Sequence, residues 1–256
     1  MNMTISGSGF IGAGEYDNIS ISGSGKAEGF IRCKAFRCSG SFSGNSDIEC
    51  EGDIHVSGSF KNNGELKSKE LRVSGSAKNG GSLSSEKIDV SGSFVVEGDC
   101  SAAEKISVSG GFKCEGNLKA GLLSVSGGTK IFGDLEAEKA EINGGISCGG
   151  LINAEELYID ISHSAGSNAE SLGGSKITIE NSRQGGFINF LFGKKRGRFT
   201  VSESIEGDEI RLEHTMAKTV TGRNVVIGKG CEIELVQYSE NVEISPEARV
   251  GKCEKV

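Results

Sequence analysis

The stretch VSGSF stands at Val56–Phe60 and again at Val90–Phe94, with near copies ISGSG from Ile21, CSGSF from Cys38, VSGSA from Val73 and VSGGF from Val108. Taking the residue before each small corner as position zero gives Ile5, Ile21, Cys38, Val56, Val73, Val90, Val108, Val125 and Ile142, spaced by 16 to 18 residues and most often by 17. A period of this length marks a repeat architecture, in which each unit buries its apolar face against the next.

The positions around the corner sort into columns. Two places before zero stand Ile19, Phe36, Ile54, Leu71, Ile88, Ile106, Leu123 and Ala140. Ten places after zero stand Ile31, Ile48, Leu66, Leu83, Cys100, Leu118, Leu135 and Ile152, and two further on lies a column of small residues from Cys33 to Ala154. Residues two apart point to the same side of a strand. The pairs at −2 and 0, +4 and +6, and +10 and +12 therefore predict three short strands per repeat, each with two side chains inward. The fold class is all-β: a single-stranded parallel β-helix, a solenoid of about 17 residues per three-faced coil. A β-sandwich would show longer alternation and hairpin turns. Both 18-residue gaps place their extra residue between +12 and the next −2, an insertion confined to one corner.

Glycine fills position +2 from Gly23 to Gly144, and fills +8 at Gly29, Gly64, Gly81, Gly98, Gly116, Gly133 and Gly150. Because glycine takes positive φ cheaply, the reading expects a left-handed turn at each corner. Small serines such as Ser57 and Ser59 let successive corners stack and hydrogen-bond locally.

The array divides into regular coils over 1–161, irregular coils over 162–204, and degenerate C-terminal coils over 205–256. The irregular part begins with a polar loop, Ser162–Ser175, before strands resume at Ile177 and Ile179 and again at Phe199 and Val201. It also holds an apolar-basic excursion, 182–198. There Phe187, Ile188, Phe190, Leu191 and Phe192 are followed by Lys194, Lys195, Arg196 and Arg198. Rings beside cations suit a membrane interface with anionic headgroups. Each basic residue near such a surface contributes about 1 kcal/mol, and many copies on one assembly would bind by avidity. The other reading is a loop folded back on the solenoid flank.

Composition narrows the function. The chain has 40 glycines, 1 proline, no tryptophan and a formal net charge of −7, so no nucleic-acid partner is expected. The opening MNMTISGSGF has neither the basic region nor the apolar run of a secretory signal. Eight cysteines in such a chain are expected to be reduced. Cys33 and Cys50 share a column in adjacent coils, where a disulfide is geometrically possible; small core filler is the preferred reading, as for Cys114 and Cys148. His55, His163 and His214 lack metal-ligand spacing and are expected to be solvated. Carboxylates are scattered, the three tyrosines are far apart, and no phosphate-binding glycine loop is present. No catalytic, cofactor or metal site is therefore expected. Two competing readings are a hexapeptide-like β-helical acyltransferase, which would need a substrate cleft and an essential histidine, and a monomeric β-helical binding module.

The three-faced coil, the missing catalytic set and the short apolar-basic element together resemble the bactofilins, bacterial polymer-forming cytoskeletal proteins. The run SIEGDEIRLEHTMAKTVTGRNVVIGKGCEIELVQYS (Ser204–Ser239) looks like the Gram-positive branch of that family. The resemblance implies a right-handed β-helix that polymerises end to end without nucleotide and scaffolds other proteins at the inner membrane. Self, inner-membrane lipids and unidentified client proteins are then the partners, and the location is cytoplasmic, peripheral at the inner face of the cell membrane. Typical members carry proline-containing tails and an N-terminal membrane element; here the candidate element is internal. The first coil begins within a few residues of Met1, leaving no length for a cap, so unpaired strand edges invite another chain.

Overall fold

The computed structural model describes residues 1–163, 166–182 and 197–256. It is a parallel β-solenoid with coils ~17 residues apart. Val56, for instance, lies beside Cys38 in one neighbouring coil and Val73 in the other. Among the described residues there is no α-helix, only a single 3-10 turn at Ile161–His163. The residues form two compact units, Met1–Leu122 with Gly128–Gly133, and Leu123–Gly127 with Asp134–Val256.

In the first unit the columns read from the sequence face inward as expected. Ile21, Cys38, Val56, Val73, Val90 and Val108 are all 2% exposed or less. Strands of the third face often run on into the first face of the next coil, as in Ile31–Cys38 and Leu83–Val90. The extra residue of each 18-residue gap falls at that junction. It splits Ile48–Cys50 from Asp53–Val56 in one coil, and it appears as a register shift opposite Ser85 and Lys87 in the other.

The glycine corner has a different cause from the one expected. Positive φ occurs at Gly14, Gly29, Gly166, Gly174 and Gly230 among the described glycines, and none of these lies in the SGS corner. The corner instead lies flat on the corner beneath it. Ser57 and Gly58 both donate their backbone N–H to Cys38 O, at 2.9 and 3.1 Å, and Ser59 N–H donates to Gly40 O at 2.8 Å. A methyl group on Gly58 would land on Gly40 O, the same atom that accepts the Ser59 bond. Gly75 stands over Gly58, and Gly92 over Gly75, in the same way. The column is glycine because stacked hydrogen-bonded backbone leaves no volume for Cβ. Among the +8 glycines only Gly29, at φ 92°, uses its conformational freedom.

Each coil has room for about two inward side chains per face, so the core depends on stacking between coils. Phe42 and Phe60 stack with ring centroids 5.1 Å apart, and Phe36 meets them edge-on at 5.0 and 5.8 Å. Such pairs contribute about 0.5–1.5 kcal/mol each beyond area burial. Two asparagines break the apolar rule at +6, where Asn62 and Asn79 are both 0% exposed. Asn62 Nδ2 donates to Gly64 O at 3.0 Å and to Asn79 Oδ1 at 3.2 Å, while Asn79 Nδ2 donates to Gly81 O at 2.8 Å and Ser82 O at 3.2 Å. The amides thus tie the turn between the second and third faces to the core. The ladder stops at Gly44, and Asn62 Oδ1, which faces that glycine, has no hydrogen-bond partner.

The second unit continues with longer strands, among them Leu151–Asp160, Ser171–Glu180, Thr215–Ile227 and Glu232–Ile244. Part of the polar stretch Ser162–Ser175 is also strand. Ser167–Ala169 forms one, and Ser171–Glu180 begins within it. Ser167, Ala169 and Leu172 point inward, at 2, 3 and 1% exposure. Ser167 is tolerated there because its hydroxyl accepts the Ile146 N–H at 3.2 Å.

Candidate functional site

Two features concern function: the excursion of 182–198 and the edges of the outermost coils. In the regular coils four positions separate the first-face residue Val56 from the second-face residue Phe60; in the coil of Ile179, twenty separate it from Phe199. Ile179 and Phe199 hold the equivalent inward places, paired to Ile159 and Ser167 of the coil before. The excursion is therefore an insertion into the corner that SGS occupies elsewhere.

Its N-terminal root is anchored by Asp160, 6% exposed. The Asp160 carboxylate accepts the Ser182 hydroxyl and backbone N–H, and the Ser162 N–H at 2.8 Å. Burial alone would raise this carboxyl, but the hydrogen bonds from Ser182 and Ser162 outweigh it and hold Asp160 below the usual carboxylate range. Beside it Tyr158 donates to Glu180 at 2.8 Å, and burial followed by that carboxylate pushes the phenol up to about 12. At the other root Arg198 donates to Glu232 Oε1 at 2.8 Å and to Met216 Sδ at 2.9 Å. Of the proposed membrane-binding residues, Arg198 alone is described, as an ion-paired surface side chain. Phe187, Ile188, Phe190, Leu191, Phe192, Lys194, Lys195 and Arg196 lie outside the described residues. The sequence reading missed Asp160; its signal was an acid directly after inward Ile159, where the coils from Ile5 to Val125 carry the first serine of the corner.

The outer coils leave strand edges open. Asn2–Ile5 and Ser8–Ile11 pair only with Gly14–Ile21 and Ser24–Ala27, and their other edges have no partner among the described residues. Met1 and Phe10 are 70 and 55% exposed there. In the second unit Arg249–Lys255 covers Glu232–Tyr238 of the preceding strand and leaves Asn241–Ile244 uncovered. Ile244 and Val256 are 41 and 66% exposed. A groove of about 750 Å³ lined by Val201, Met216, Ala217, Ile233 and Val250 opens in these last coils.

The other candidates are placed as follows. His55 is exposed, but His214 is buried, at 8% exposure and φ 47°, which corrects the expectation that it is solvated. It sits in a tight bend under Gly230, whose Cβ position its ring fills. Cys33 and Cys50 are in register as buried free thiols, and Cys114 and Cys148 are buried free thiols in their own coils. Burial pushes the thiols of Cys38, Cys114 and Cys231 up to about 11. Among the described residues no group of three or more His, Cys, Asp and Glu could hold a metal ion, and no described helix is long and apolar enough to cross a membrane.

The fold and these features define a class, the β-solenoids. Within it, residues 40–136 match the family model of the bactofilins, described as polymer-forming cytoskeletal proteins. The match falls on the regular coils, not on Ser204–Ser239, where the sequence reading found its more specific likeness. Two Bacillus subtilis (strain 168) proteins, both described only as uncharacterized, are similar. YhbF is 33% identical over 98 residues, 38% of each chain. YhbE is 47% identical over 55 residues, 22% of this chain and 23% of its own. The similarity thus spans well under half the length of either relative. No solved structure matches the chain.

Proposed function

We propose that this chain is a non-enzymatic cytoskeletal scaffold that self-assembles end to end into nucleotide-independent polymers and associates with the inner face of the cell membrane through Phe187–Arg198. The observation that carries the reading is the pair of open strand edges, flanked by exposed Met1 and Phe10 in one unit and Ile244 and Val256 in the other. Unpaired parallel edges are templates for another chain. The match of residues 40–136 to the bactofilin family model supports the same reading. Client proteins would dock along the coils.

Negative-stain electron microscopy of the purified chain, without nucleotide and over a concentration series, tests it. Filaments or sheets are expected, and Ile244→Asp should shift their appearance to higher concentration by placing a charge on an open edge. Discrete particles at every concentration would sink the scaffold reading and favour a monomeric module. For the membrane part, flotation with vesicles should weaken when Phe187, Phe190 and Phe192 are replaced by serine.

A further inference from the structure

The coil-to-coil pairing puts one chemistry on one face of the first unit. The outward position of the second-face strands is occupied in successive coils by Phe10, Lys26, Ser43, Lys61, Lys78, Val95, Lys113 and Lys130, each paired directly to the next. Five of the eight are lysine. Neighbouring coils lie about 4.8 Å apart, so the ammonium groups form a straight row with gaps of one or two coils. Lys78 and Lys113 are ion-paired with Glu97 and Glu115, at 2.6 and 2.7 Å. Lys26 and Lys61 have no ion pair among the described residues and are exposed. Lys130 lies over the ring of Phe132 at 4.6 Å, with Lys113 at 5.0 Å from the same ring. Phe132 is 47% exposed. A chain of net charge −7 thus keeps a cationic row, with apolar groups set among the cations, on one sheet face.

We infer that this face is a docking surface for an anionic lipid bilayer, separate from the excursion at 182–198 and independent of it. Charge complementarity selects an anionic partner. Val95 and Phe132, standing in or beside the row, select a headgroup plane over a linear polyanion: aromatic and aliphatic groups between lysines suit a surface with an apolar layer beneath its phosphates. The stems of the lysines cover the sheet while their ammoniums reach the phosphates. The first unit lying on this face would hold its lysine row parallel to the membrane.

The experiment is vesicle flotation of the full chain with phosphatidylglycerol or phosphatidylcholine vesicles. Lys26, Lys61 and Lys130 are changed together to glutamine, and the control changes Lys67, Lys69 and Lys105, exposed lysines on the other faces. Both triples are also made in a chain whose Phe187, Phe190 and Phe192 are serine. At about fivefold per lysine, the row triple should weaken binding to phosphatidylglycerol about a hundredfold in both backgrounds. The control should change it by less than about fivefold, and added salt should weaken the parent. Equal loss from the two triples would reduce the effect to diffuse charge and overturn the inference. So would loss from the phenylalanine changes alone, which would leave the excursion as the membrane contact. Retention of the parent on a polysulfate column without flotation on vesicles would overturn it in favour of a linear polyanion.

Discussion

A single methyl group separates two accounts of the SGS corner. If glycine were there for its dihedral freedom, the conformation would show it; instead the limit is the carbonyl of the coil beneath. Gly58→Ala is therefore expected to destabilise the chain by about 2 kcal/mol or more, as overpacking into a rigid neighbour does. Gly111→Ala should stay within about 0.5–1 kcal/mol, because its Cβ would meet nothing within 4 Å and its partner in the coil below is Ser93. Chemical denaturation of both variants decides the matter, and a Gly58→Ala as mild as Gly111→Ala would refute the stacking account. The residue type was legible in the sequence at every regular coil through Gly144. Its reason was not, since contact with an atom about 17 residues away depends on how closely the coils settle.

At the scale of the element, the turn between the second and third faces is held by amides in the first unit. Asn79→Ala should cost about 2–3 kcal/mol, because it removes a buried donor from Gly81 O and Ser82 O and leaves Asn62 without its side-chain acceptor. Asn63→Ala, at an exposed position whose amide bonds only to Asn45, should cost less than about 0.5 kcal/mol. The comparison is again a denaturation midpoint at constant slope; equal midpoints for the two variants would mean that the buried amides do not hold the turn. The sequence reading passed over Asn62 and Asn79 because polar residues in an alternating strand are usually taken as outward. The period itself placed them inward, at +6, and only the paired register shows the amides meeting each other.

Across the whole molecule, the thiols report on packing. Seven of the eight cysteines are buried and Cys253 is exposed. Burial raises the thiols of Cys38, Cys114 and Cys231 to about 11, so at pH 8 only about one in a thousand of each would be thiolate, the reactive form. Thiol-reactive dye on the native chain at pH 8 should label one site quickly, at Cys253, and the other seven only on unfolding. Raising the pH toward 11 would increase the thiolate fraction, but labelling would still wait on opening of the coils. Rapid native labelling of several sites would mean that the coils open readily. Because the buried thiols occur in both units, labelling against denaturant also tells whether the units lose structure together. Assembly belongs to this scale as well, since edges left open at single strands become consequential only when a second chain can cover them.

The sequence by itself determined the coil, its three faces, the inward columns and the corner that takes the extra residue of the two 18-residue gaps. These follow from side-chain alternation and a fixed period, which are local properties of a strand. The sequence also carried the bactofilin likeness that the family match bears out. Only the tertiary structure decided what happens between coils: why the corner must be glycine, how Asp160 anchors the root of the excursion, that His214 is buried, and that lysines from separate coils make one row. Such contacts join residues that alternation does not relate. They are set by the close stacking of backbone on backbone, a distance that no single residue type encodes.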